Sequence, residues 1–211
     1  MYLPQMFREE RIEVLHQLIR THPLGALVTH TGGALSADHV PLLLDAGPDG
    51  KDRLRGHLAA ANPLCKADPG DLDVLVIFQG PQTYVSPSWY PSKQEHGKVV
   101  PTWNYAVVHV EGTLRFHRAS DWLHTQVTDL TDRHEASRDL PWAVSDAPDD
   151  FVDRQLRAIV GIEIAVRTIT GKWKVSQNRA PADRNGVARG LDATPTPDSA
   201  AMARLVRDSE R

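Results

Sequence analysis

The residues best suited to chemistry fall in four short segments. In Asp38-His39-Val40-Pro41 a histidine stands beside a proline within an otherwise extended run. Proline has no N–H to give to a ladder, so such a strand belongs at an edge or bulge, where neighbouring backbone groups stay open to a ligand. An ordinary edge strand is the plainer reading. In Arg55-Gly56-His57-Leu58, followed by Asn62-Pro63, a guanidinium, an imidazole and free N–H groups at a helix start would suit a phosphate. A charged surface turn would look the same.

The third segment runs from Ser86-Pro87-Ser88-Trp89-Tyr90-Pro91-Ser92-Lys93 to Val100-Pro101-Thr102-Trp103-Asn104-Tyr105. Rigid aromatics interleaved with hydroxyls and one lysine line pockets for planar ligands, and equally line interfaces between subunits. The fourth is Lys172-Trp173-Lys174-Val175-Ser176-Gln177-Asn178-Arg179, with cations and uncharged polar groups around one tryptophan. It suits an anion bearing an amide-containing ring, and it could also be a solvated basic strand. Together the four describe a pocket for a flat anionic ligand. Nucleotides, flavins and pyridoxal phosphate all meet that description.

The elements that must hold these residues are mostly short strands. The spacing predicts a helix over 8–21, with Ile12, Leu15, Leu18 and Ile19 on one face, ended by Pro23. Leu24–His30 and Leu35–Leu44 form a hairpin through Gly32-Gly33, a second turn follows at Gly47-Pro48-Asp49-Gly50, and Arg53–Leu58 is the next strand. Asp73–Gln79 is apolar enough to be buried on both faces; Gly80-Pro81 reads as a turn and Thr83–Ser86 as a return strand. The stretch 87–102 reads as a long ordered loop. Val107–His117 alternates cleanly, with Val108, Val110, Leu114 and Phe116 on one face.

Ser120 would cap a helix to about His134, and Asp149–Val160 is a second helix before a strand at Ile162–Thr170. Helices are also expected over 182–190 and 199–208, the last loosely attached through Thr194-Pro195-Thr196-Pro197. Strands joined by turns, with helices at the edges, favour an antiparallel barrel over a parallel sheet. No Gly-x-Gly-x-x-Gly or Walker pattern is present.

Composition narrows the class. The chain has 211 residues, 41% hydrophobic, with a net charge of −3. That balance argues against a broad nucleic-acid footprint, since DNA affinity rests on lysine and arginine at phosphates. No apolar run approaches the roughly 20 residues that cross a bilayer, and no secretory leader is expected at the start, so a cytoplasmic location is expected. Cys65 is the only cysteine, which excludes an intrachain disulfide, and the 10 histidines show no metal-binding spacing, so no metal is expected.

At these residues the chain resembles a known family. Met1-Tyr2-Leu3-Pro4 with Phe7, His39-Val40-Pro41, Gly56-His57-Leu58 with Ala61-Asn62-Pro63, and Phe78-Gln79-Gly80-Pro81 are similar to the PaiB-type FMN-binding transcriptional regulators. So are Tyr84–Tyr90, Val100–Tyr105 and Gly171–Arg179, in order along the chain to about Leu191. The resemblance implies a mainly β, antiparallel split barrel with peripheral helices, related to pyridoxine 5′-phosphate oxidase and the flavin reductases. It implies a homodimer binding FMN at its interface, with a domain over 1–191 and a helical extension over 192–211.

By the same resemblance the phosphate would sit near Arg55, His57 and Asn62, helped by Lys93 or by Lys172 and its neighbours. The ring would lie against His39, Val40, Pro41 and the stretch Val100, Pro101, Thr102, Trp103, with Trp89 among the pocket aromatics. Gln177 and Arg179 would close the site. One departure is Ala60, where the family's pattern carries an arginine; losing a charge-assisted hydrogen bond costs about 1.5–3 kcal/mol. Two further functions stay open: a flavin-dependent oxidoreductase, with His39 and His57 as the nearest acid–base groups and no catalytic residue assigned, and a split barrel that has exchanged flavin for another ligand such as haem. Direct DNA binding follows only from the family's regulatory name.

Overall fold

The computed structural model describes residues 1–47, 51–67 and 70–209. Most of the turn expected at Gly47-Pro48-Asp49-Gly50 lies outside the described residues. The elements in order are β1 (Arg8–Glu9), α1 (Ile12–Thr21), β2 (Leu24–Thr31), β3 (Ala34–Pro41), β4 (Leu43–Asp45), β5 (Arg53–Ala59), α2 (Pro63–Ala67), β6 (Leu72–Val85), α3 (Ser92–His96), β7 (Thr102–His117), α4 (Ser120–Glu135), α5 (Asp149–Leu156), β8 (Ile159–Lys174), α6 (Pro181–Asp192) and α7 (Ser199–Asp208). Eight strands share one sheet in the order β3-β2-β6-β7-β8-β5-β4, with β1 paired to β8. The registered ladders are antiparallel, as in the β2–β3 hairpin that turns at Gly32 and Gly33, both in the left-handed region. No helix among the described residues is long and apolar enough to cross a membrane.

The chain forms two compact units. The first comprises Met1–Leu18, Gln79–His109 and Thr170–Arg211; the second comprises Ile19–Phe78 and Val110–Ile169. In the second unit Leu27, Leu54, Val76, Phe78, Val110, Leu114, Ile162 and Ile164 are buried and make its core. Gly161 is required by packing there, because a Cβ would stand 2.1 Å from the Trp122 ring. In the first unit the core is Leu15, Leu18, Val85, Ala106, Val108, Trp173 and Val175, joined by Val187, Leu191, Met202, Ala203 and Val206 from the two last helices.

Several boundaries differ from the sequence expectation, each for a local reason. Helix α1 begins at Ile12 rather than Arg8, because Arg8 and Glu9 pair with Lys172 and Gly171 as a short strand. The Glu9 carboxylate then accepts from the Arg11 backbone N–H and guanidinium. The strand expected over Leu35–Leu44 breaks after Pro41; the Leu42 N–H is taken by the Pro23 carbonyl. Gly80-Pro81 is not a turn. Strand β6 runs straight through it, and Gly80 is a close-approach position where a Cβ would meet Leu18 at 2.8 Å and the Ala106 carbonyl at 3.1 Å.

The expected loop over 87–102 contains a 3-10 turn at Pro87–Trp89, capped by the Ser86 hydroxyl, and α3, which ends at Gly97 in the left-handed region. Ala119, not Ser120, is the cap of α4, and Ser120 is already helical. Helix α5 stops at Leu156, and the strand after it begins at Ile159 and continues to Lys174 without a break at Gly171. Helix α7 is firmly seated: Met202 and Ala203 are fully buried, Asp198 accepts from the Gln82 N–H, and Arg207 pairs with Asp192.

Candidate functional site

The residues singled out in the sequence divide between the two units. The first unit holds Trp89, Lys93, Val100, Pro101, Thr102, Trp103, Lys172, Gln177 and Arg179, and the second holds His39, Val40, Pro41, Arg55, His57 and Asn62.

In the first unit the end of β8 sets the geometry. Along a strand, alternate residues face one way. Trp173 is buried, so Lys172 and Lys174 both turn to the other face. The Lys174 ammonium donates to the Thr102 hydroxyl and to the Trp103 carbonyl, the latter at 2.7 Å. Lys172 donates to the Tyr2 carbonyl at 3.0 Å and stands over the Tyr105 ring, 5.4 Å from its centre.

The chain then turns sharply through Ser176, the one non-glycine residue among those described with positive φ, 67°. Such backbone is uncommon outside glycine and persists where the surroundings enforce it. Here the Asn104 amide donates to the buried Ser176 hydroxyl at 2.9 Å, and the Gln177 side chain closes on its own loop, accepting from the Val175 N–H and donating to the Trp173 carbonyl. The turn delivers Arg179 over the Tyr90 ring, 4.9 Å from its centre.

The outcome is a cluster of like charge. Burial lowers the Lys174 ammonium below its ordinary value of 10.5, and Lys172 and Arg179 push it the same way. No carboxylate among the described residues acts on it in the opposite sense. Burial raises the Tyr90 phenol, with Arg179 pulling it partly back.

A cleft of about 480 Å³ in the same unit is lined by Tyr84, Trp89, Trp103 and Leu191. Trp103 is 55% exposed and meets Tyr84 edge to face at 6.2 Å. Thr83 lines this cleft too; its hydroxyl is buried and has no hydrogen-bond partner among the described residues. Cations without a counter-anion among the described residues, beside an exposed indole, make a set that fits a phosphorylated planar ring. Val100 is exposed beyond the cleft, and Lys93 on α3 reaches the Ser88 hydroxyl at 3.4 Å.

In the second unit Pro41 ends β3, the strand at one end of the sheet order, which is where a residue without an N–H is tolerated. Val40 is buried and packs near Gly56, where a Cβ would stand 2.8 Å from the Pro41 carbonyl. His57 Nδ1 lies 2.9 Å from the oxygen of the fully buried Gln126 amide. Asn62 joins Asp38 at 2.9 Å and caps α2 by accepting from the Leu64 N–H. Arg55, with only 16% of its side chain exposed, is gripped by both Asp45 and Asp129, which raise its pKa against the opposing effect of burial.

Sequence reasoning named Lys174, Asn104 and Ser176 only within their segments, without Lys174 as the hub of the cation cluster or Asn104 and Ser176 as its brace, and it passed over Gln126, the partner of His57. The two-residue spacing of Lys172 and Lys174 on a strand was the signal for the first. Nothing local announces the others, since their partners lie 69 and 72 residues away.

Comparison with known proteins identifies the family and the fold. The sequence model of a family described as "Putative FMN-binding domain" matches residues 1–168. An uncharacterized protein of Emericella nidulans is 36% identical, covering 99% of this chain and 97% of its own. Protease synthase and sporulation protein PAI 2 of Bacillus subtilis is 33% identical over the same shares. Among solved structures, the FAD and heme binding protein from Mycobacterium smegmatis aligns with a TM-score of 0.56 at 19% identity, covering 79% of this chain and 73% of that one. The flavocytochrome Anf3 from Azotobacter vinelandii aligns at 0.54 and 12%, covering 79% and 69%. At such identities the likeness establishes the fold, an antiparallel split barrel. The chain therefore belongs to the FMN-binding domain family, as a split-barrel protein of the PaiB type whose cofactor is FMN.

Proposed function

We propose that the first unit holds the FMN, with its phosphate on Lys172, Lys174 and Arg179 and its ring against Trp103. The observation that carries this reading is the uncompensated cation cluster, in which a half-buried Lys174 is held below its ordinary pKa by burial and by two neighbouring cations. A phosphate placed there relieves the repulsion. Thr102 and Trp103 fix the lysine, and Asn104 and Gln177 fix the turn that brings Arg179 round. Once bound, the flavin supplies the electron-transfer chemistry, and the protein's part is to bind and orient it.

The contacts expected of His39, Val40, Pro41, Arg55, His57 and Asn62 form a separate part of the proposal, tested by substituting His57. The protein acts as a cytoplasmic homodimer in this reading. Tyr2, Met6, Tyr84, Val100 and Trp103 leave large apolar surfaces open in the first unit, the kind of aromatic-rich face that subunits bury. A regulatory role proceeds through flavin or a partner rather than a broad DNA footprint, given the net charge of −3.

Titration of apo-protein with FMN and with riboflavin tests the phosphate assignment. Lys174→Met should weaken FMN by about tenfold to a hundredfold, the worth of one charge-assisted hydrogen bond, and leave riboflavin unchanged. Equal affinity of variant and wild type for FMN would overturn it.

A further inference from the structure

We infer that the second unit carries its own site for a small organic carboxylate, in a cavity ringed by Arg20, Arg55 and Arg133. The cavity measures about 280 Å³. Arg20 comes from the last turn of α1, Arg133 and His134 from the last turn of α4, and Arg55 from β5. One wall is apolar, formed by Pro23 and the consecutive leucines 42–44.

The charges do not cancel. Asp45 and Asp129 also line the cavity, and both are bound to the guanidinium of Arg55. Arg20 and Arg133 form no ion pair or side-chain hydrogen bond among the described residues. Three arginines against two aspartates leave an excess of positive charge at the cavity before His134 is counted.

A basic residue at a helix C-terminus complements the helix dipole, which accounts for one arginine at the end of each helix. It does not account for two such arginines, from separate helices, opening onto the same cavity beside a third that is almost buried. Arginine takes a carboxylate in a two-point grip. The leucine wall asks for an apolar body on the same molecule.

Size fixes the scale. At about 30 Å³ for each heavy atom, the volume of one water in the liquid, the cavity takes a molecule of roughly nine heavy atoms. That is an aryl or short alkyl acid, well below the size of a flavin nucleotide. The site differs in size from the one proposed for FMN and shares no residue with the Lys172, Lys174 and Arg179 cluster; Arg55 is the one residue it shares with the flavin contacts expected in the second unit.

Calorimetric titration with phenylacetate, its neutral counterpart phenylacetamide, and inorganic phosphate tests the inference on the full chain. Phenylacetate should bind, and phenylacetamide at least tenfold more weakly. The double variant Arg20→Gln/Arg133→Gln should lose the preference for the acid while keeping its FMN affinity; both side chains are exposed, so folding, checked by circular dichroism, should be intact. Lys174→Met should bind phenylacetate as the wild type does. The inference fails if phenylacetate gives no binding up to its solubility limit, if the amide binds as tightly as the acid, or if the double variant keeps the preference. Phosphate binding in place of phenylacetate would overturn the assignment to a carboxylate.

Discussion

Asn104 and Ser176, 72 residues apart, are hydrogen bonded through Nδ2 and Oγ at 2.9 Å with both side chains buried. This bond holds the left-handed turn that carries the chain from the lysines of β8 to Arg179. Asn104→Ala leaves a buried hydroxyl unanswered and should lower stability by about 1–3 kcal/mol in urea denaturation. Ser176→Gly loses the same bond but removes the backbone strain, so its loss should be smaller. If both variants lose equally, the positive φ stores no strain. FMN affinity should fall in Asn104→Ala, since Arg179 is no longer held.

Lys174 predicts a pH dependence with a defined sign. Its folded-state pKa lies below the unfolded value of 10.5. Between those two values the unfolded chain binds more protons, so stability of the apo-protein rises with pH across that window. FMN binding runs the other way: its phosphate needs the charged ammonium, so affinity should decline as pH climbs through the lowered pKa. Lys174→Met should flatten both trends. Denaturation and FMN titration in parallel between neutral pH and pH 10.5 would show it.

On α6, Gly186 and Gly190 stand four apart and let the Trp89 segment approach. A Cβ at Gly190 would lie 2.3 Å from the indole, and one at Gly186 would lie 2.0 Å from the Trp89 carbonyl. Alanine in a helix gains about 0.8–1.0 kcal/mol over glycine in propensity. Overpacking costs about 1–3 kcal/mol and therefore outweighs it. Gly190→Ala should destabilise the protein and shift tryptophan fluorescence, whereas a stabilised variant would place Trp89 elsewhere.

Helix α7 contributes to the core of the first unit through Met202, Ala203 and Val206. Met202→Ala should cost about 2–5 kcal/mol, the range for emptying a buried large side chain. A chain ending at Asp192 should lose at least as much, measured by thermal unfolding. Retention of the full melting temperature after truncation would show that the helix is dispensable.

How much of this was legible in the sequence depended on how local the cause was. Strand β7 was readable because Val108, Val110 and Leu114 alternate with polar residues, and that pattern needs no partner to be seen. The Arg53–Ala59 strand and the last two helices were readable for similar reasons. Gly80-Pro81 misled because the dipeptide carries a turn signal, while its actual role, letting Leu18 and Ala106 approach, is set by residues far away in sequence. The cation cluster was visible as a segment but not as a cluster. Its central lysine is defined by Thr102 and Trp103, 72 and 71 positions upstream. Pro195 and Pro197 suggested a slack tether before α7, yet Ser199 accepts from the Thr196 N–H and Asp198 reaches Gln82, which anchors the joint.

Strand β7 carries one further implication, for how this sequence can change over generations. Its inward positions, from Asn104 through Ala106, Val108 and Val110 to Leu114, keep a strict two-residue rhythm. Adding or deleting a single codon anywhere within it would invert every later side chain, exposing valines and driving Glu111 and Arg115 inward. Substitutions there can be gradual, but changes of length cannot, so lineages that diverge in size should have done so in the turns and leave this span uninterrupted.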